Sequence, residues 1–318
     1  MAILPLPIEL VLNVVTCCLP NNDEILIPSD PVTKTLVSFT LVCKETRRLA
    51  NRYLRERCIY LDDDKRLSSL LLQVPTRPDL RKIEWVFLAP FNESIDDQPT
   101  STWVRELLFY TSATLRRLVV DIPFRSLYPE NDHLDVRRIL REGFKRLECI
   151  EEFVSVQDEL YLNEWPDTPV WANWPKLKRL ALYNVMADDM FWESVAKSQQ
   201  LDTVVLTRAD SLRDANMKEE YRKHTARPLK VLIVNVQDDQ VRFGNMIRFN
   251  WDIVDREKRM TIMLTNVEYS FEYTNMDVRE ACWKWIRIEA ERGTLWSREG
   301  EVVQHLPRIA HPNVAELP

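Results

Sequence analysis

The sequence predicts an α/β protein in which a short N-terminal helical module precedes a longer array of parallel strands backed by outer helices. Three observations predict it: an apolar stripe at helical spacing in the first residues, a leucine-led strand pattern that returns every 24 to 35 residues, and amphipathic stretches between those returns.

The composition fits a packed chain and narrows its class. Of 318 residues, 45% are hydrophobic and 29% charged, which supports a sizeable core. Forty-three Lys and Arg stand against 49 Asp and Glu, and the formal charge of -6 argues against a nucleic-acid partner tracked through its phosphates. The six cysteines show no C-x-x-C spacing and sit mostly in apolar runs, as free thiols do in a reducing compartment, cytoplasmic or nuclear. The apolar opening MAILPLPIELVLNVVTCCL lacks a basic start and is interrupted by Pro5, Pro7 and Glu9, unlike a secretory signal. No stretch approaches the roughly 18 uncharged apolar residues of a membrane span, so no membrane association is expected. The four glycines lie too far apart for a phosphate-cradling loop.

In the N-terminal module, Leu6-Pro7-Ile8-Glu9-Leu10 reads as a helix start, with proline where the first turn has no N–H to lose and glutamate near the positive helix end. Leu10, Val11, Val14, Val15 and Cys18 follow at steps of three and four until Leu19 and Pro20. Residues 20–35 hold three prolines with Asn, Asp and Ser and read as a loop. From Leu36 the helical period resumes through Phe39, Val42, Cys43, Leu49, Ala50, Tyr53 and Leu54, with Lys and Arg on the other face. About 50 residues make a marginal core, so this module is expected to lean on a partner or on the domain behind it.

LPIELVLNVV, the following LP, and TLVSFTLVCKETRRLANRYL together resemble the F-box over residues 4–57. The resemblance implies a small trihelical unit that docks on the Skp-type adaptor of a cullin-based ubiquitin ligase. It implies that Leu6, Pro7, Glu9, Leu10, Val14, Val15, Leu19, Leu36, Leu41, Val42, Cys43 and Lys44 form the adaptor-binding and core surface. Two departures stand out. Leu19 and Val42 are 23 positions apart, longer than the family's usual spacing, which costs only about 0.6 kcal/mol per doubling of a surface loop. Thr46 stands where the family commonly has a bulky aromatic.

Residues 58–293 carry the repeating pattern. Leucine-led strand segments start at Leu80, Leu115, Leu147, Leu177, Leu201 and Leu229, with Met260 in the same role, and helix candidates lie at Lys65–Val74, Trp103–Thr111, Val136–Phe144 and Met190–Ser198. In LKRLALYN, Leu177, Leu180 and Leu182 are expected to turn inward and stack on their equivalents in neighbouring units. The segment Leu147–Val156 departs from this, with Glu151 and Glu152 where an inward leucine is expected. The pattern resembles the irregular leucine-rich repeats found behind F-boxes, especially in fungal proteins; an ordinary α/β domain with parallel strands is the alternative. In a solenoid, residues alternating with the buried ones line a concave, substrate-binding face: Glu84, Val119, Asp121, Ala181, Tyr183, Val205, Thr207, Ile233 and Asn235.

Other segments break the pattern. NEWPDTPVWANWP, residues 163–175, is too stiff for a plain linker and is expected to cap the core, or else to form a recognition patch. Asp277 is expected to cap a helix from Val278 to Gly293 that closes the open end of the array, and residues 294–318 to form a tail. His133, His224, His305 and His311 show no metal-ligand arrangement, and no catalytic signature appears. Asp62, Asp63, Asp64, Asp188 and Asp189 lie at element boundaries, as helix caps do. No cofactor or enzymatic activity is expected. The expected function is a substrate-recognition adaptor that holds an unknown protein substrate for ubiquitin transfer; the alternative is a non-degradative scaffold with the same fold.

Overall fold

The computed structural model describes residues 6–20, 23–162, 168–212, 216–236, 251–267 and 277–303. Three helices come first: α1 (Ile8–Cys17), α2 (Pro31–Phe39) and α3 (Lys44–Arg57). Val15, Leu36 and Ala50 form their small shared core, with Leu19, Val32, Phe39, Leu49, Tyr53 and Leu54 packed around it. Asp30 caps α2 ahead of Pro31, its carboxylate accepting from the Val32 amide at 2.6 Å. Cys43 and Thr46 cap α3 reciprocally: the Thr46 amide donates to Cys43 Sγ at 3.5 Å and the Cys43 amide to Thr46 Oγ1 at 3.1 Å. Thr46 is fully buried in this capping box.

Among the described residues, nine strands then form one open sheet whose spatial order is the chain order. They are β1 (Tyr60–Leu61), β2 (Trp85–Leu88), β3 (Arg117–Val120), β4 (Glu152–Ser155), β5 (Arg179–Tyr183), β6 (Thr203–Thr207), β7 (Leu229–Val236), β8 (Met260–Val267) and β9 (Glu301–Val302). The first eight are parallel, and β9 closes antiparallel on β8. Between strands run α4 (Asp64–Gln73), α5 (Gln98–Thr111), α6 (Val136–Lys145), α7 (Asp189–Lys197), α8 (Met217–His224) and α9 (Trp251–Val254). They bury Leu67, Leu108, Phe144, Trp192, Tyr221 and Trp251 against one face of the sheet, which supplies Val86, Leu118, Phe153, Leu180, Val204, Val231 and Ile262. Two of the five boundary aspartates act as caps: Asp63 accepts from the Arg66 amide and Asp188 from the Phe191 amide, at 2.6 and 2.9 Å, while Asp64 and Asp189 open the first turns and Asp62 pairs with Arg66.

Register explains where the strand pattern drifts. Leu80 lies in a 3-10 turn, Pro78–Lys82, ahead of β2. In the Leu147 segment the inward positions pass to Leu147, Ile150 and Phe153, and Glu152 turns to the other face. In β7, Val231 rather than Leu232 pairs with Val204, so Val231 and Ile233 face the helices while Leu232 and Val234 face away. A slip of one residue exchanges the two faces of a strand.

The second face is covered as well. The last helix, α10 (Val278–Glu291), is capped by Asp277 as expected, but lies across the sheet instead of closing its end. Its Cys282, Ile286 and Ala290, one stripe at steps of four, are fully buried against Phe87, Val119, Val154, Ala181, Val205, Leu232 and Met263. The chain turns back at Gly293. Leu295, in a 3-10 turn Leu295–Ser297, is fully buried, Trp296 donates to Glu152 at 2.8 Å, and the chain then reaches β9. Residues 294–303 are thus packed, not a tail; residues 304–318 lie outside the described residues.

Candidate partner-docking surfaces

Helix α1 is apolar on two sides. Val15 packs into the core with Ala50 of α3 and Val11 and Leu12 are half-buried, whereas Leu6, Leu10, Val14 and Cys17, a stripe at steps of four and three, are exposed. Leu6 is 60% exposed, Leu10 49% and Val14 50%, and Val37, Leu41 and Val42 add further exposed apolar area on the same module, with Leu41 at 78%. Single exposed leucines need no explanation, but this density on a three-helix unit with three fully buried core residues does.

Of the residues that the F-box resemblance marks, Leu6, Pro7, Glu9, Leu10, Val14, Leu41, Val42 and Lys44 are exposed and available for contact. Val15 and Leu36 are not: both are fully buried and hold the three helices together. Leu19 packs at the edge of that core, and Cys43 serves as the α3 cap.

The long loop does more than connect. Ile25 and Leu26 are buried, the Ile25 amide donating to the Glu291 carbonyl and the Leu26 amide to the Arg57 carbonyl, each at 2.7 Å. Arg117 donates to the Asp23 carbonyl and, at 3.2 Å, to that of Ala290. The strap 23–27 therefore ties the helical module to α10 and to the sheet.

The expected concave surface is largely filled. Val119, Ala181, Tyr183 and Val205 belong to the core beneath α10, and Thr207 is fully buried. Asp121 is buried too, accepting from Gln157 at 2.7 Å and Arg287 at 3.1 Å, and its burial raises the carboxyl pKa. Ile233 faces the outer helices. Glu84 precedes β2, is partly exposed and accepts the Arg116 and Arg117 amides through its carbonyl. Asn235 pairs in register with Asn266; its side chain lies outside the described residues. A signal of this cover was present in the runs Thr203–Thr207 and Leu229–Val234, apolar on both parities, as strands buried on both faces are.

Across the start of the strands runs a charged ladder on the α10 side. Trp85, Arg117, Glu152, Arg179, Thr203 and Lys230 stand in register. Arg57 and Arg117 each lie 5.2 Å from the Trp85 ring, and Glu152 is shared by Arg117 at 3.2 Å and Arg179 at 2.9 Å. Lys230 donates to the Trp296 and Arg298 carbonyls. These bonds seat the returning chain.

At the opposite ends of the strands lies a cluster that the sequence did not announce. Arg125 pairs with Asp158 and Glu159, and Tyr161 is held between Arg125 and Arg137, at 4.7 and 4.6 Å. Burial pushes the Asp158 carboxyl up to about 6 despite Arg125. Asp-Glu, separated from the end of β4 by two residues, is its trace in the sequence. Trp171 and Trp174 are buried, as capping residues would be, while residues 163–167 lie outside the described set.

Among the described residues no group of three or more His, Cys, Asp and Glu could hold a metal ion, and no helix is long and apolar enough to cross a membrane. The sequence matches no protein-family model, and no curated protein matches it.

Proposed function

We propose that this chain is a substrate-recognition adaptor of a cullin-based ubiquitin ligase. The helical module is read as an F-box docking on a Skp-type adaptor, and the sheet-and-helix body as a leucine-rich-repeat-like solenoid that presents a protein substrate. The observation that carries the reading is the outward apolar stripe Leu6, Leu10 and Val14, accompanied by Leu41 and Val42, on a module too small to need it for its own core. A stripe of this kind is what an amphipathic partner surface would cover. Strand order identical to chain order, with an α-helix in each crossover from β1 to β7 except β4 to β5, where the 3-10 turn Val170–Asn173 takes its place, supports the solenoid reading of the body.

The test is direct mixing. The purified chain is combined with a fungal Skp-type adaptor and passed over a sizing column. A stable complex that the paired change Leu6→Ala and Pro7→Asp abolishes supports the reading. No complex, or one indifferent to that change, ends it.

A further inference from the structure

With α10 and the returning chain over one face of the sheet and helices over the other, the strands themselves are reached only at the rims. The carboxyl ends of parallel strands are where open α/β sheets hold ligands. There, between the 3-10 turn Val170–Asn173 and the first turns of α7, a pocket of about 180 Å³ opens beyond β4 and β5. Its floor is rigid: the rings of Trp171 and Phe191 meet at 5.7 Å and 64°, and Phe191 meets Trp192 at 5.1 Å. Its lips are Met186 and Met190, 57% and 56% exposed. Two unbranched, polarizable side chains around a fixed aromatic floor suit an apolar side chain of variable shape.

The charge around this pocket is mostly negative, with Arg125 holding Glu159 from one side. Glu159, Asp188 and Glu193 line it, and its one lining cation, Lys197, is bound to Glu193 at 2.6 Å. Burial pushes the Glu159 carboxyl up; Arg125 opposes this, while Asp158 and Asp188 add to it. A cation arriving from outside would relieve that repulsion.

We infer that this pocket is a docking site for a linear basic peptide segment, with one aliphatic or aromatic side chain seated between Met186 and Met190 and neighbouring Arg or Lys side chains against Glu159, Asp188 and Glu193. Its role in presenting a substrate rests on the proposed function, but the binding itself does not involve the helical module. The site is thus separable from adaptor docking.

The probe is a fluorescein-labelled hexapeptide pool, Gly-Arg-Lys-X-Arg-Gly with X drawn from Leu, Ile, Met, Phe and Trp, followed by anisotropy with the full chain and no adaptor present. The pool is expected to bind. Replacing X by Ser, or the basic residues by Glu, should weaken binding at least about tenfold, as should Met186→Ser with Met190→Ser and, separately, Glu193→Lys. Met186 and Met190 are exposed and Glu193, half-buried, is paired with Lys197 near the surface, so each variant should remain folded, with an unfolding midpoint shifted by no more than the loss of one surface ion pair. An acidic pool that binds equally well, no binding by the basic pool, or folded variants that bind like the parent chain would each overturn the inference. None of those results bears on whether the module binds a Skp-type adaptor.

Discussion

Gly293 lies against the Asp23 carbonyl so closely that a Cβ added to it would stand 2.4 Å from that oxygen, and its backbone is left-handed, with φ at +70°. Here the end of α10 meets the strap from the helical module, so neither backbone has room to yield. Gly293→Ala is expected to destabilise the chain by roughly 1–3 kcal/mol, from the φ strain together with the forced separation of two backbones. Urea unfolding of the two forms checks this; equal midpoints would contradict it.

Arg117 is the buried hub of the same junction. It faces Glu152, the Trp85 ring and the carbonyls of Asp23 and Ala290, and is almost without solvent contact. Arg117→Met keeps most of the volume but removes the donor to the Asp23 carbonyl and the most buried partner of Glu152, which retains Arg179 and Trp296, so a loss of roughly 1–3 kcal/mol is expected. Amide exchange should rise at Ile25 and Leu26 ahead of the outer helices, because the strap loses its anchor first.

Val14 and Val15 are neighbours on α1 with opposite assignments. Val15→Ala should cost about 1–3 kcal/mol, being fully buried between Leu36 and Ala50. Val14→Asp, on the outward stripe, should change stability by less than about 0.5 kcal/mol and yet abolish adaptor binding. Thermal unfolding and a pull-down, run on both variants, separate core from contact.

Asp158 makes a pH-dependent contribution. Its folded pKa, about 6, lies above its ordinary value of 3.8, so between those two values the native state binds the extra proton. The stability it confers is therefore present at low pH and is lost as pH rises toward and past 6. Asp158→Asn keeps an acceptor for the Arg125 amide and removes the titration. The stability of this variant relative to the parent chain should increase between about pH 4 and pH 7, by up to about 3 kcal/mol. Denaturant titrations of both at the two pH values measure it; a pH-independent difference would refute the assignment.

Much of the body was legible because its information is local. Leu177, Leu180 and Leu182 announced an inward row, Asp188 and Asp277 announced helix starts, and the structure has them there. The face of each strand was less secure, since it depends on counting by twos from a correct origin: β7 begins one residue earlier in its frame than β6, and Ile233 crossed to the helix side.

The sequence by itself determined most of the strands and outer helices and their order, because helix period, strand alternation and capping act over a few residues, although residues 31–35, read as loop, form the first turns of α2. The tertiary structure alone decided that α10 fills the sheet face where Val119, Ala181, Tyr183 and Val205 were expected to meet a partner. It also decided that residues 23–27 are a strap and that Asp158 and Glu159 are partly buried beside Arg125. Such pairings join residues far apart along the chain, from Asp23 with Arg117 to Tyr60 with Glu291. Nothing in the local pattern of either partner specifies the other; packing of the whole chain does.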